Sequence, residues 1–172
     1  MTSDENPSEQ TSDLIDTVHH EHAHLRKLFS DLASSFADIA AGEIGDDNRR
    51  EVVAAASENL EVALEDMLHH FNQEEEVFFV EMERRFPDLA PKIEDLVDAH
   101  ELMAQRTRWL HEQLEKGPDD VARDLEVIVD VLDSMASMVD DHTEQETRLF
   151  DEFLQKVPED ERRGLLEKMR QI

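Results

Sequence analysis

Four histidines and two glutamates interrupt the apolar stripes of this chain at helical spacing: His22, His70, Glu74, His100, His142 and Glu146. His22 falls between Val18 and Leu25, and His100 between Leu96 and Met103. His70 and Glu74 lie between Met67 and Phe78, and His142 and Glu146 between Val139 and Leu149. Apolar residues three and four apart form the buried face of a helix, so these six groups point into a core. Ionisable groups buried without partners cost several kcal/mol each, by order of magnitude. A metal ion supplies both the partner and the compensating charge. The chain has no cysteine, so the donors are nitrogen and oxygen only.

The spacing fits that chemistry. His70/Glu74 and His142/Glu146 are i,i+4 pairs, about 6 Å apart along one helix face. A carboxylate there can bridge two ions while the histidine one turn away binds one of them. In antiparallel helices, residues equidistant from the turn lie level. His22 and His70 centre on Asp46, Glu74 and His100 on Pro87, and His100 and His142 on Val121. Each midpoint falls at or near a break in the helical pattern, so all six can share one layer. The segments HFNQEEEVF (70–78) and HTEQETRLF (142–150) repeat one pattern. Two metals sharing two carboxylates suit such a pseudo-twofold.

The elements that must hold this layer are four amphipathic helices. Helix A is expected from about Ser12 to Ala41, and Gly42, Gly45 and Asp46-Asp47 form the turn. Helix B is expected from Asn48 to Arg85, ended by Pro87. Helix C carries Ile93, Leu96, Met103, Leu110 and Leu114 up to Gly117-Pro118. Helix D starts near Asp119 or Asp120, and a short closing helix runs from Pro158 to about Met169. The expected fold is all-α, an up-down-up-down four-helix bundle with a short C-terminal helix. Residues 1–11 read as a disordered acidic tail and 12–172 as one domain.

Composition narrows the function further. The chain has 172 residues, with 44 Asp and Glu against 17 Lys and Arg, and a formal net charge of −27. Such a surface repels polyphosphate, so no nucleic-acid partner is expected. No apolar run reaches membrane-spanning length and the first residues are polar, so a cytoplasmic protein with no membrane partner is expected. Only 5 of the basic residues are lysine, a composition that also suits a high-salt habitat.

The other histidines have blander readings. A lone His in a helix is more often a satisfied core or surface residue than a ligand. His19 is a candidate hydrogen-bond partner of a ligand, while His20, His24 and His69 read as surface. His111 with Glu115 repeats the i,i+4 spacing but lies about 16 Å along the helix from His100, off the layer. Glu75, Glu101 and Asp141 flank ligands and could accept a hydrogen bond from one, although a solvated face is the commoner reading for each.

At EHAHLRKLF (21–29), HFNQEEEVFF (70–79), His100, HTEQETRLF (142–150) and VPEDERRGLLEKM (157–169), the sequence resembles the hemerythrin-like, or HHE cation-binding, family. The resemblance implies two Fe ions in an oxo- or hydroxo-bridged di-iron centre, open to dioxygen, nitric oxide or peroxide. Oxygen-carrying members place a second histidine four residues after the helix C histidine, where this chain has Ala104. They also use a five-residue His-to-Asp step on the last helix, where this chain has His142 and Glu146 four apart. The expected function is a binding or sensing protein in oxygen, iron, oxidative or nitrosative stress. Two alternatives stay open: a di-iron enzyme acting on peroxide or repairing iron centres, and a metal-free helical interaction module. The sequence names no protein partner.

Overall fold

A computed structural model describes residues 7–162 and 164, with side chains from residue 20 onward. Among the described residues the chain is all-α, without a strand. Helix α1 spans Pro7–Ala40 and α2 spans Asp46–Gln73. A π-helical segment, Glu74–Phe79, joins α2 to α3, Val80–Arg85. A 3₁₀ turn at Pro87–Leu89 leads into α4, Ala90–Glu115. The short α5, Pro118–Arg123, precedes α6, Leu125–Lys156. No helix among the described residues is long and apolar enough to cross a membrane.

Each break has a local cause. Gly42 sits at φ 74°, a conformation open to glycine. The Glu43 N–H donates to the Asp38 carbonyl at 3.0 Å and the Gly42 N–H to that of Ile39 at 3.1 Å, which satisfies the carbonyls left over at the end of α1. Phe86 adopts φ −135°, ψ 81°, because the ring of Pro87 disfavours helical backbone in the residue before it. Gly117 at φ 99° closes α4, and Pro118 opens α5.

Two boundaries differ from expectation, and a third lies partly outside the described residues. Helix α1 begins at Pro7 rather than Ser12, so residues 7–11 of the expected tail are helical; residues 1–6 lie outside the described residues. The last long helix does not run from Asp119 unbroken. Asp124, at φ −101°, ψ 15°, divides it into α5 and α6. After Pro158 the chain is helical again over 159–162, and most of the expected closing helix to Met169 lies outside the described residues.

Helix α1 packs mainly on α6, α2 mainly on α4, and α4 also on α6, whereas α1 and α2 touch little. The core is divided in two. One part gathers Leu25, Phe29, Phe36, Leu60, Met67, Met103, Leu132, Met135 and Val139, among others. The other gathers Phe78, Phe79, Met82, Leu89, Leu96, Phe150 and Phe153. The polar layer lies between them along α2 with its π segment, α4 and α6, so apolar packing closes it from both ends on these helices.

Phe36 has no exposed surface and lies about 21 Å along α1 from His22. Phe36→Ala should cost about 3–5 kcal/mol of unfolding free energy, from lost burial and the cavity left behind. Urea unfolding followed by far-UV circular dichroism measures this. The exposed Val127 is the control, and Val127→Ala should stay within about 0.5 kcal/mol.

Candidate metal centre

All six polar residues of the expected layer are buried. Helix α1 supplies His22, α2 supplies His70, α4 supplies His100, and α6 supplies His142 and Glu146. Glu74 is the first residue of the π segment. The histidines meet in two pairs: Nε2 of His22 and His70 are 3.0 Å apart, and Nε2 of His100 and His142 are 3.2 Å apart.

Glu74 stands between the pairs. Its Oε1 is 2.8 Å from His70 Nε2, and its Oε2 is 3.1 Å from His100 Nε2. Glu146 Oε2 lies 3.4 Å from His22 Nδ1 and 3.9 Å from His142 Nε2. Three groups have ligand atoms close enough together to hold an ion: His22, His70 and Glu74; Glu74, His100 and His142; and His22, His142 and Glu146. Every member of these groups is buried.

Two carboxylates outside the layer fix which ring atoms face inward. His70 Nδ1 donates to Glu21 Oε2 at 2.7 Å, and His100 Nδ1 donates to Glu75 Oε1 at 2.8 Å. A neutral imidazole carries one N–H, so Nε2 of both rings presents a lone pair. Those lone pairs face the oxygens of Glu74, which is an acceptor when ionised. Acceptors at about 3 Å repel one another unless a proton or a cation lies among them.

The ionisation equilibria show the same strain. Burial, with further contributions from the charges of Glu21 and Glu75, pushes the Glu74 carboxyl up to about 8. Burial, and then the charge of Glu74, raises Glu146 well above the ordinary carboxyl range. Burial also lowers His100 to about 2 and His142 to about 4, with neighbouring histidines adding to the effect. It lowers His70 as well, against the opposing pull of Glu21. Neutral imidazoles with ionised carboxylates form the set a hard or borderline divalent cation takes, and the surroundings already favour neutral His70, His100 and His142.

Aromatic rings fix the His100 imidazole. Phe71 stacks on it at 3.8 Å between centroids with 7° between planes, and Phe79 lies 5.9 Å away at 16°. Phe79 reaches this position through the π segment, whose extra residue per turn rotates the side chains beyond it around the helix axis. Both Phe78 and Phe79 are therefore buried, whereas a plain α-helical stripe predicts Phe78 alone. Phe78 packs edge-on against Phe150 at 5.9 Å.

The residues outside the layer divide. His20, His24 and His69 are exposed, as expected. His111 is only partly buried and lies 3.9 Å from Glu115, away from the layer. Glu101 and Asp141 are exposed. The side chain of His19 lies outside the described residues. Glu75 differs from the solvated reading, because α4 brings His100 within hydrogen-bond reach of it. Glu21 is not singled out by its sequence position: it points off its own helix's apolar stripe, and its partner is on α2. The one available signal is an acidic residue next to a ligand, a weak one in a chain this acidic.

This geometry separates the six buried groups from the other histidines. We expect His111→Ala and His24→Ala each to keep the final metal content of the parent chain, and His100→Ala to lower it. Metal analysis after equilibrium loading decides. Equal loss from His111→Ala would place the centre elsewhere on α4.

A search of curated proteins and a search of solved structures each returned no match. A family described as Hemerythrin HHE cation binding domain matches residues 13–154. That span contains α2 to α5, nearly all of α6 and all six buried polar residues, and the chain belongs to the hemerythrin HHE cation-binding domain family.

Proposed function

We propose that the centre holds two irons, one beside the His22/His70 pair and one beside the His100/His142 pair, with Glu74 and Glu146 spanning both. The observation that carries this reading is the position of Glu74. Its two oxygens face different histidine pairs, at 2.8 Å and 3.1 Å. The charge count agrees. Glu74, Glu146, Glu21 and Glu75 bring four negative charges to the neighbourhood, and two divalent cations bring four positive ones.

The four long helices, taken as α1, α2 with α3, α4, and α6, form the up-down-up-down bundle that sets this layer. Bound iron supplies one-electron and two-electron chemistry with small molecules such as dioxygen, nitric oxide or peroxide. The protein's part is to hold, orient and exclude. Glu21 and Glu75 fix the tautomers of His70 and His100, so that Nε2 is the ligating atom on each. Phe71 and Phe79 hold the His100 ring in plane. The apolar clusters on both sides of the layer limit water and admit neutral molecules. Such a centre serves to bind or sense a small ligand of this kind, or iron itself, in the cytoplasm under oxidative or nitrosative stress.

Metal quantitation tests the centre. Chain loaded anaerobically with ferrous iron should retain two equivalents after desalting and develop near-ultraviolet absorption on oxidation. Full helicity with no retained iron would overturn the proposal.

A further inference from the structure

The side chains that close the centre on one side are not all inert. Leu25, Met67, Met103 and Val139 each stand three residues from a histidine of the layer: His22, His70, His100 and His142 in turn. Residues three apart share a helix face and lie about 4.5 Å apart along its axis. All four are buried and belong to one apolar cluster, so they form the course of the core next to the histidines. Leu25 and Val139 are hydrocarbons. Met67 on α2 and Met103 on α4 carry thioether sulfurs, on helices that pack against each other. Phe71, in the same cluster, stacks on His100.

We propose that Met67 and Met103 are a redox-modification site, where peroxide that reaches the centre is recorded as methionine sulfoxide. The proposal rests on the iron reading above and gives it an output. Iron in the layer supplies the Lewis acidity that polarises a peroxide O–O bond. The step balances without a further reagent. A sulfur lone pair takes one peroxide oxygen and the O–O bond breaks. The departing hydroxide takes the proton of the transferred oxygen and leaves as water. Sulfur is oxidised by two electrons and peroxide is reduced by two. The sulfoxide is a strong acceptor set among Leu25, Phe71 and Val139, whose side chains donate no hydrogen bond, so the packing of α2 on α4 loosens. Methionine is otherwise a filler of core gaps, and two further methionines separate the roles. Met67, Met82 and Met135 are 0% exposed and Met103 is 1% exposed. Met135 lies roughly 10 Å along α6 from His142, and Met82 roughly 10 Å beyond Glu74. Burial is equal, so distance from the layer ranks the four.

Two measurements test this. The first maps peptides by mass after dilute peroxide, on chain loaded with iron and air-oxidised and on metal-free chain. In the loaded chain Met67 and Met103 should each gain one oxygen while Met82 and Met135 stay reduced. In the metal-free chain all four should stay reduced over the same interval. The second follows the Tm of loaded chain before and after peroxide. Tm should fall in the parent chain and hold in Met67→Leu/Met103→Leu, an exchange that nearly conserves volume and should retain the same iron.

Equal oxidation of the four methionines in loaded chain, or of Met67 and Met103 with and without iron, would overturn the proposal and leave the iron reading standing. So would loaded chain in which neither gains oxygen. Oxidised histidine at the level of the sulfoxides would mark radical damage and overturn it too. Sulfoxides without a fall in Tm would overturn the output. Failure of the parent chain to retain iron would overturn the iron reading, and the proposal with it.

Discussion

Glu74→Ala should reduce iron retained after desalting from two equivalents to one or fewer, the largest loss from any single substitution in the layer. Each histidine belongs to one Nε2–Nε2 pair, whereas Glu74 stands in a metal-sized group with both pairs. Removing it breaks two of the three metal-sized groups and leaves the one of His22, His142 and Glu146, whose carboxylate lies 3.4 Å and 3.9 Å from the ring nitrogens. Glu146→Ala should therefore retain more iron than Glu74→Ala. A reversed order would mean that Glu146 is the main bridge.

Stability of the metal-free chain should move in the opposite direction. The Glu74 carboxyl has its folded pKa raised to about 8, chiefly by burial. A raised carboxyl pKa means that the fold prefers the protonated form. The stability tied to that form is complete below the unfolded value, about 4.3, and is lost as pH rises through about 8. Metal-free parent chain should thus lose stability between pH 5 and 8 by an amount on the order of several kcal/mol. Metal-free Glu74→Ala should lose less over that window. Loaded parent chain should not show the loss, because a cation then stabilises the ionised carboxylate. Thermal unfolding at several pH values, with and without metal, measures all three. An equal fall in Tm for the parent and Glu74→Ala would show that another group governs the pH response.

Ferrous-loaded chain mixed with dioxygen should oxidise rapidly, and removal of oxygen should not restore the ferrous spectrum. The reason is Ala104, buried on α4 one turn beyond His100. A methyl group donates nothing, so each half of the centre has two histidine nitrogens: His22 and His70, or His100 and His142. On the proposed two-iron reading, neither half is filled by an additional imidazole, which leaves a position for a small ligand on each. A centre that offers two equivalent sites favours electron transfer from both metals over simple release. The surface charge of −27 discriminates little among dioxygen, nitric oxide and peroxide, which are neutral near pH 7. Stopped-flow absorbance followed by argon purging is the measurement. Full spectral reversal on purging would restore an oxygen-carrying role despite Ala104.

Much of the layer was legible because helical periodicity is a local property. Apolar residues three and four apart define a face, and a polar group on that face must be buried wherever the helix packs. His22, His70, Glu74, His100, His142 and Glu146 all met that test and are all buried. Their common height came from the turns, because proline and glycine mark breaks regardless of what the helices touch.

What the sequence left open depends on neighbours from other helices. HFNQEEEVF and HTEQETRLF look equivalent, yet the first enters a π segment and the second stays α-helical. The difference accompanies the packing of Phe79 beside His100, a partner from α4. Glu21 is unremarkable among 44 acidic residues, and Glu75 is one of three flanking acceptor candidates, until α2 and α4 bring His70 and His100 within 2.7 Å and 2.8 Å of them. Likewise, His20, His24 and His69 read as separate surface residues along the chain. They line one groove because α1 packs against α6 rather than α2, a choice made by how all the apolar faces fit together. Local periodicity is enough to say which side chains must leave water. Which of the rest meet them depends on the packing between helices, because no local pattern encodes the distances from one helix to another.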